Sequence, residues 1–227
     1  MRRAIGTVCV VFAVVGPGVP AARAQSAAPG RIEVAGGAGW IGHVPLGSQA
    51  ANETTASGGS FGLFTSSTEL AAAPDLEVRV GVRLTQAIDV EATGSYMKPE
   101  LRTRIGTDAE TSNAPLTVTA PIHQFVVGGD LVLYPGVSWF GSRARLFVAV
   151  GGGYLRQLEN DGAIVATGMT VDAGGGVKWL LKSRPVGKWK GVGVRIDARA
   201  LVRRKGVAFD DSAHVSPSVA ASLFVRF

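Results

Sequence analysis

The chain has 227 residues, 23 Lys and Arg against 17 Asp and Glu, a formal net charge of +6, and 46% hydrophobic residues. So much apolar content excludes a disordered tail, and the 31 glycines follow no three-residue period, which excludes collagen. Beyond the N-terminus no stretch reaches the ~18 uninterrupted apolar residues of a membrane helix.

Residues 1–24 read as a secretory leader. Arg2 and Arg3 open it, Ala4 to Val15 forms a short apolar run, and Ala22-Arg23-Ala24 gives the small-x-small pattern of signal peptidase. The mature domain is then expected over 25–227. Three arginines and no acid leave with the leader, so half of the formal charge is targeting and a nucleic-acid partner loses its main support. Cys9 also leaves, which removes any disulfide framework or thiolate metal site.

The mature chain alternates with a period of two, the mark of strands with two unlike faces. Ile32, Val34 and Trp40 alternate with Glu33 and small residues. Leu76, Val78, Val80, Val82 and Leu84 alternate with Glu77, Arg79 and Arg83. Ile88, Val90, Ala92 and Tyr96 oppose Asp89 and Glu91. Phe125, Val127, Leu131 and Leu133 oppose Gln124 and Asp130. Leu146, Val148, Val150 and Tyr154 oppose Arg145, and Val171, Ala173, Val177 and Trp179 oppose Asp172 and Lys178. The clearest case is Val192, Val194, Ile196, Ala198, Ala200 and Val202 against Arg195, Asp197, Arg199 and Arg203. Val219 to Phe227 closes the series opposite Ser222 and Arg226. These make eight strands.

Long polar links at 43–75 and 97–121 alternate with tight turns at 85–87 and around Pro135-Gly136. That rhythm predicts an all-β, antiparallel, up-and-down transmembrane barrel of eight strands. Ten strands are the alternative, because Ser60 to Thr65 in the first link alternates too.

The polar face carries Gly37, Gly39, Gly81, Gly128, Gly151, Gly153, Gly174, Gly176 and Gly193, as suits an eight-stranded interior barely wide enough for side chains. It also carries nearly balanced charge. The acids are Glu33, Glu77, Asp89, Glu91, Asp130, Asp172 and Asp197; the bases are Arg79, Arg83, Arg145, Lys178, Arg195, Arg199, Arg203 and Arg226. Facing lipid, each base near the midplane would cost ~2–4 kcal/mol. The charges are therefore expected to pair in the lumen and plug it, with the valines outward. Trp40, Tyr96 and Tyr154 are expected at one interface, and Tyr134, Trp139, Trp179, Trp189 and Phe227 at the other.

The leader, the segment Arg145-Leu-Phe-Val-Ala-Val-Gly-Gly-Gly-Tyr154, the glycine-rich strand 168–181 and the closing Ala221-Ser-Leu-Phe-Val-Arg-Phe227 resemble bacterial outer-membrane β-barrels of the small, eight-stranded OmpA/OmpX-like class. The resemblance implies an outer-membrane location with both termini in the periplasm. It also implies contact with outer-membrane lipids, and a terminal Phe227 read by the barrel assembly machinery. A structural or adhesive role through the long loops goes with that class, with an extracellular ligand left unnamed. A monomer is expected.

Other motifs weigh less. Gly37-Ala-Gly-Trp-Ile-Gly42 spells a dinucleotide fingerprint, but Pro45 follows where a helix is needed. His214-x-Ser216 is the pairing of a lipid-cleaving enzyme, yet its parity points it into the lumen, away from lipid. His43 and His123 are isolated, without ligand spacing for a metal. Lys182, Arg184, Lys188 and Lys190 read as a turn near anionic headgroups. No catalytic, cofactor or metal site is expected. A narrow pore for small solutes is the second functional reading, and a lipid-modifying enzyme the third.

Overall fold

The computed structural model describes residues 31–54, 56–106, 115–136, 138–139, 143–159, 164–184, 186–206 and 213–227. The expected leader, 1–24, lies outside them. The described residues form strands β1 (Ile32–Ile41), β2 (Val44–Thr54), β3 (Ser60–Leu70), β4 (Ala73–Arg83) and β5 (Ile88–Met97). Next come β6 (Glu100–Gly106), β7 (Leu116–Pro121), β8 (His123–Leu133) and the two-residue β9 (Ser138–Trp139). The last four are β10 (Ala144–Leu158), β11 (Ile164–Ser183), β12 (Gly191–Lys205) and β13 (His214–Arg226).

Eight of these close a barrel in the order β1-β4-β5-β8-β10-β11-β12-β13, each antiparallel to its neighbours, with β13 returning to β1. Every barrel strand thus lies beside its predecessor along the barrel, the up-and-down arrangement, and no edge is left open. β9 only extends the start of β10.

The ten-strand alternative is overturned. The strand hidden in 43–75 belongs to a second sheet, β2-β3-β6-β7, built from both expected polar links. This sheet rises from one rim, hereafter the sheet rim; the opposite end is the turn rim. The alternation of Ser60 to Thr65 does not extend along the whole hairpin, because the β2–β3 ladder slips at Pro45/Gly47 and at Ala51/Asn52, and each slip reverses the faces. At its base Val44, Leu46, Leu70 and Ile122 are buried together, with Leu101 against them. They form an apolar cap over the barrel mouth.

Inside the barrel, register sets small residues against large ones. On the lumen side of β1 and β4, Gly81 faces Glu33, Ala35 faces Arg79, Gly37 faces Glu77 and Gly39 faces Asp75. Across β11 and β12, Gly174 faces Arg199 and Gly176 faces Asp197. A Cβ on Gly176 would run into the Ile196 carbonyl and the Asp197 side chain, and one on Gly193 into the Phe224 ring. The outer surface is the reverse: Val78, Val80, Val82, Val127, Val148, Ile196 and Leu223 stand exposed.

Candidate functional site

The polar groups of this barrel lie where water is scarce. Lys178 and Arg195 are 2% and 1% exposed, and Glu91 is as deeply buried. Lys178 Nζ donates to Glu33 Oε1 at 2.6 Å and to Glu91 Oε1 at 2.9 Å. Arg195 Nη1 donates to Glu91 Oε2 at 2.7 Å, and its Nε to Asp197 Oδ2 at 3.0 Å. Arg199 reaches three acids: Asp197 at 2.8 Å, and Asp130 and Asp172 at 2.6 Å each. Arg79 joins Asp130 at 3.1 Å and pairs with Glu77 on its own strand. Arg226 Nε closes on Glu33 Oε2 at 2.8 Å. Asp89 takes the Tyr134 hydroxyl at 2.6 Å and stands 3.4 Å from Arg83 and 3.8 Å from Lys178.

Glu33, Glu77, Arg79, Arg83, Asp89, Glu91, Asp130, Asp172, Lys178, Arg195, Asp197, Arg199 and Arg226 therefore form one connected network. Its members come from seven of the eight barrel strands, all but β10. Buried charges persist only when paired and hydrogen-bonded, and the small residues opposite them leave the room to meet.

The two remaining bases behave differently. Arg145 donates to the Gln86 carbonyl at 2.6 Å and covers the Tyr134 ring at 4.1 Å, on the turn rim. Arg203 is buried and donates to Gln124 Oε1 at 3.0 Å, with no acid in contact among the described residues. Beside it lies a cavity of about 80 Å³, lined by Asp75, Arg79, Asp130, Asp172 and Arg199 as well as Arg203. That is room for a few waters.

Three rings face the lumen, Tyr134, Phe147 and Phe224. Phe147 lies under Arg195 at 4.4 Å, Phe224 under Arg226 at 4.8 Å, and Tyr134 meets Phe147 edge-on. Tyr134 was expected in the interfacial girdle; it is buried instead, because its hydroxyl finds Asp89 in the lumen. Parity alone could have found the other two, since Phe147 shares its face with Arg145 and Phe224 with Arg226. Asp75 is another inward acid that the sequence reading left out. Trp40, Tyr154, Trp179 and Phe227 are exposed on the outside, near the strand ends. Tyr96 is half-buried, tilted against Phe125, its hydroxyl 2.8 Å from His123 Nδ1.

Gly37 to Ile41 lie on β1, and β2 follows with no helix between them. Ser216 is fully buried on the lumen side, out of reach of a lipid ester. His214 borders the space beneath the cap with Lys205 and Leu155.

The second sheet offers a different surface. A groove of about 530 Å³ is lined by Pro45, Ser48, Ser67, Glu69, Arg102 and Arg104. Arg102 and Glu100 form an exposed pair at 2.9 Å. Phe61, Phe64, Leu116 and Val118 stand exposed on β3 and β7.

No protein-family model and no curated protein matches the sequence. Among solved structures, Neisserial surface protein A is similar at 12% identity and a TM-score of 0.52, over 86% of this chain and 97% of that one. The outer membrane protein OprG from Pseudomonas aeruginosa aligns over 87% of this chain and 95% of its own, with 10% identity and a TM-score of 0.47. The chain has the fold of a bacterial outer-membrane β-barrel, and a belt of outward valines and leucines circles it.

Proposed function

We propose that this chain is a non-enzymatic outer-membrane protein, exported by its leader, that holds a closed barrel in the bilayer and acts through the sheet above it. The observation that carries this reading is the second sheet. Two hairpins are paired into one four-stranded sheet, and Phe61, Phe64, Leu116 and Val118 are exposed on it. Exposed apolar groups on a polar rim are what a protein contact uses. The sheet rim then faces the outside of the cell and the turn rim the periplasm. Outer-membrane lipids surround the valine belt, and the barrel assembly machinery reads the strand that ends in Phe227. The chain works as a monomer.

The ion-pair network supports a plugged lumen. Its longest cations cross the interior between strands, and opening a path would strip buried charges of their partners. The polar cavity beside Arg203 favours a second reading, a narrow pore for small solutes. Both are tested on cells that display the parent or a variant with 44–70 and 100–121 replaced by tight turns. Loss of cell–cell or cell–surface adhesion by the shortened, still heat-modifiable barrel supports the sheet as the working part. Equal adhesion removes it. Discrete conductance steps from the parent in planar bilayers would instead establish the pore.

A further inference from the structure

The turn rim is electrically one-sided. Residues 84–87, 134–143 and 182–190 contain no Asp or Glu, yet they hold Arg143, Lys182, Arg184, Lys188 and Lys190. Four of those five cations fall on the hairpin that joins β11 to β12. Here the ladder slips between Leu180 and Lys182, and the extra residue, Leu181, is exposed at the outer surface. The turn itself passes through Gly187 at φ 120°, which other residues rarely adopt.

The hairpin is held in shape. The Arg184 N–H donates to the Lys190 carbonyl at 2.9 Å, and the Arg184 guanidinium lies 4.1 Å over the Trp189 ring. Lys182 and Lys188 meet no carboxylate among the described residues. Val186, near the tip, is 83% exposed, and Trp179, Leu181 and Phe227 border the hairpin with exposed apolar surface. Lys182 and Lys188 beside a greasy border fit a ligand with an anionic head and an apolar body.

We propose that the β11–β12 hairpin binds the phosphate of an anionic phospholipid in the leaflet next to the turn rim. Lys182, Arg184 and Lys188 take the headgroup, and Leu181 and Trp179 take the start of the chains. The inference rests on the membrane placement of the barrel and is independent of what the second sheet does. A hydrated anionic polymer such as peptidoglycan would use the cations but leave the apolar border unused.

The test uses the whole mature chain refolded in detergent micelles. Short-chain phosphatidylglycerol, phosphatidylcholine of the same chain length, and glycerol phosphate are titrated separately, with retained molecules counted by native mass spectrometry. Phosphatidylglycerol should bind about tenfold more tightly than phosphatidylcholine, since each cation near an anionic headgroup contributes. The combined change Lys182→Ser, Arg184→Ser and Lys188→Ser should abolish that preference, whereas Arg143→Ser, outside the hairpin, should keep it. Should the triple variant fail to show a heat-modifiable band, Lys188→Ser alone must still lower the preference severalfold. Equal binding of the two lipids overturns the proposal, as does a preference that survives the hairpin changes. Glycerol phosphate binding as tightly as phosphatidylglycerol, or hairpin-dependent binding to purified sacculi without lipid preference, overturns it too. A failure here with an intact heat-modifiable barrel leaves the outer-membrane reading standing; a chain that never forms one fails both.

Discussion

Lys178 and Arg195 sit directly opposite each other on β11 and β12, two cations on one lumen face. Like charges in that position repel. Glu91, reaching across from β5, resolves the conflict by accepting from both, at 2.9 Å from Lys178 and 2.7 Å from Arg195. One carboxylate therefore ties β5 across the lumen to the β11–β12 pair.

Replacing that carboxylate tests the network. Glu91→Gln leaves two buried cations facing each other without their shared acid. Breaking a buried pair typically costs ~3–5 kcal/mol, so the urea midpoint of the folded barrel in lipid vesicles should fall by a corresponding amount. Asp75→Asn is the contrast. Asp75 is 7% exposed but joins no ion pair among the described residues, so its neutralisation should leave the midpoint unchanged or raise it.

The glycines of the lumen make a steric prediction. Gly176→Val should abolish the heat-modifiable band, because its side chain would occupy the space of the Ile196 carbonyl and Asp197. Gly36→Val, on the outer face of β1 with nothing within 4 Å of the added carbon, should fold like the parent. Gel mobility before and after boiling distinguishes the two.

A charge placed outside should be as harmful as one placed inside is tolerated. Val80 is exposed between lumen-facing Arg79 and Gly81 on β4. Val80→Arg should cost ~2–4 kcal/mol near the bilayer midplane, read from the equilibrium folding of the purified chain into vesicles.

How far the sequence leads can be read from these same residues. Alternation placed Glu91, Lys178 and Arg195 on the inner face, because a period of two needs no knowledge of partners. It could not reveal that one glutamate serves two cations on strands 87 and 104 residues away, which depends on barrel closure and register. The second sheet showed only in the alternation of Ser60 to Thr65, because the β2–β3 ladder slips at Pro45/Gly47 and Ala51/Asn52. Tyr134 was misplaced because a ring at a turn suits either an interface or a core, and only the Asp89 acceptor decides.

The most direct measurement exploits the cysteine count. The sole cysteine, Cys9, lies in the expected leader, so single cysteines can be placed in an otherwise cysteine-free mature chain. Ser67→Cys on the second sheet, Val80→Cys on the outer wall and Val186→Cys in the turn-rim hairpin are exposed in intact cells to a membrane-impermeant maleimide. The expected result is labelling of position 67 at once, of 186 only after the outer membrane is permeabilised, and of 80 in neither case while the barrel is folded. Equal labelling of all three in a soluble extract would contradict the membrane barrel. Early labelling of 186 with protection of 67 would mean that the barrel sits the other way up.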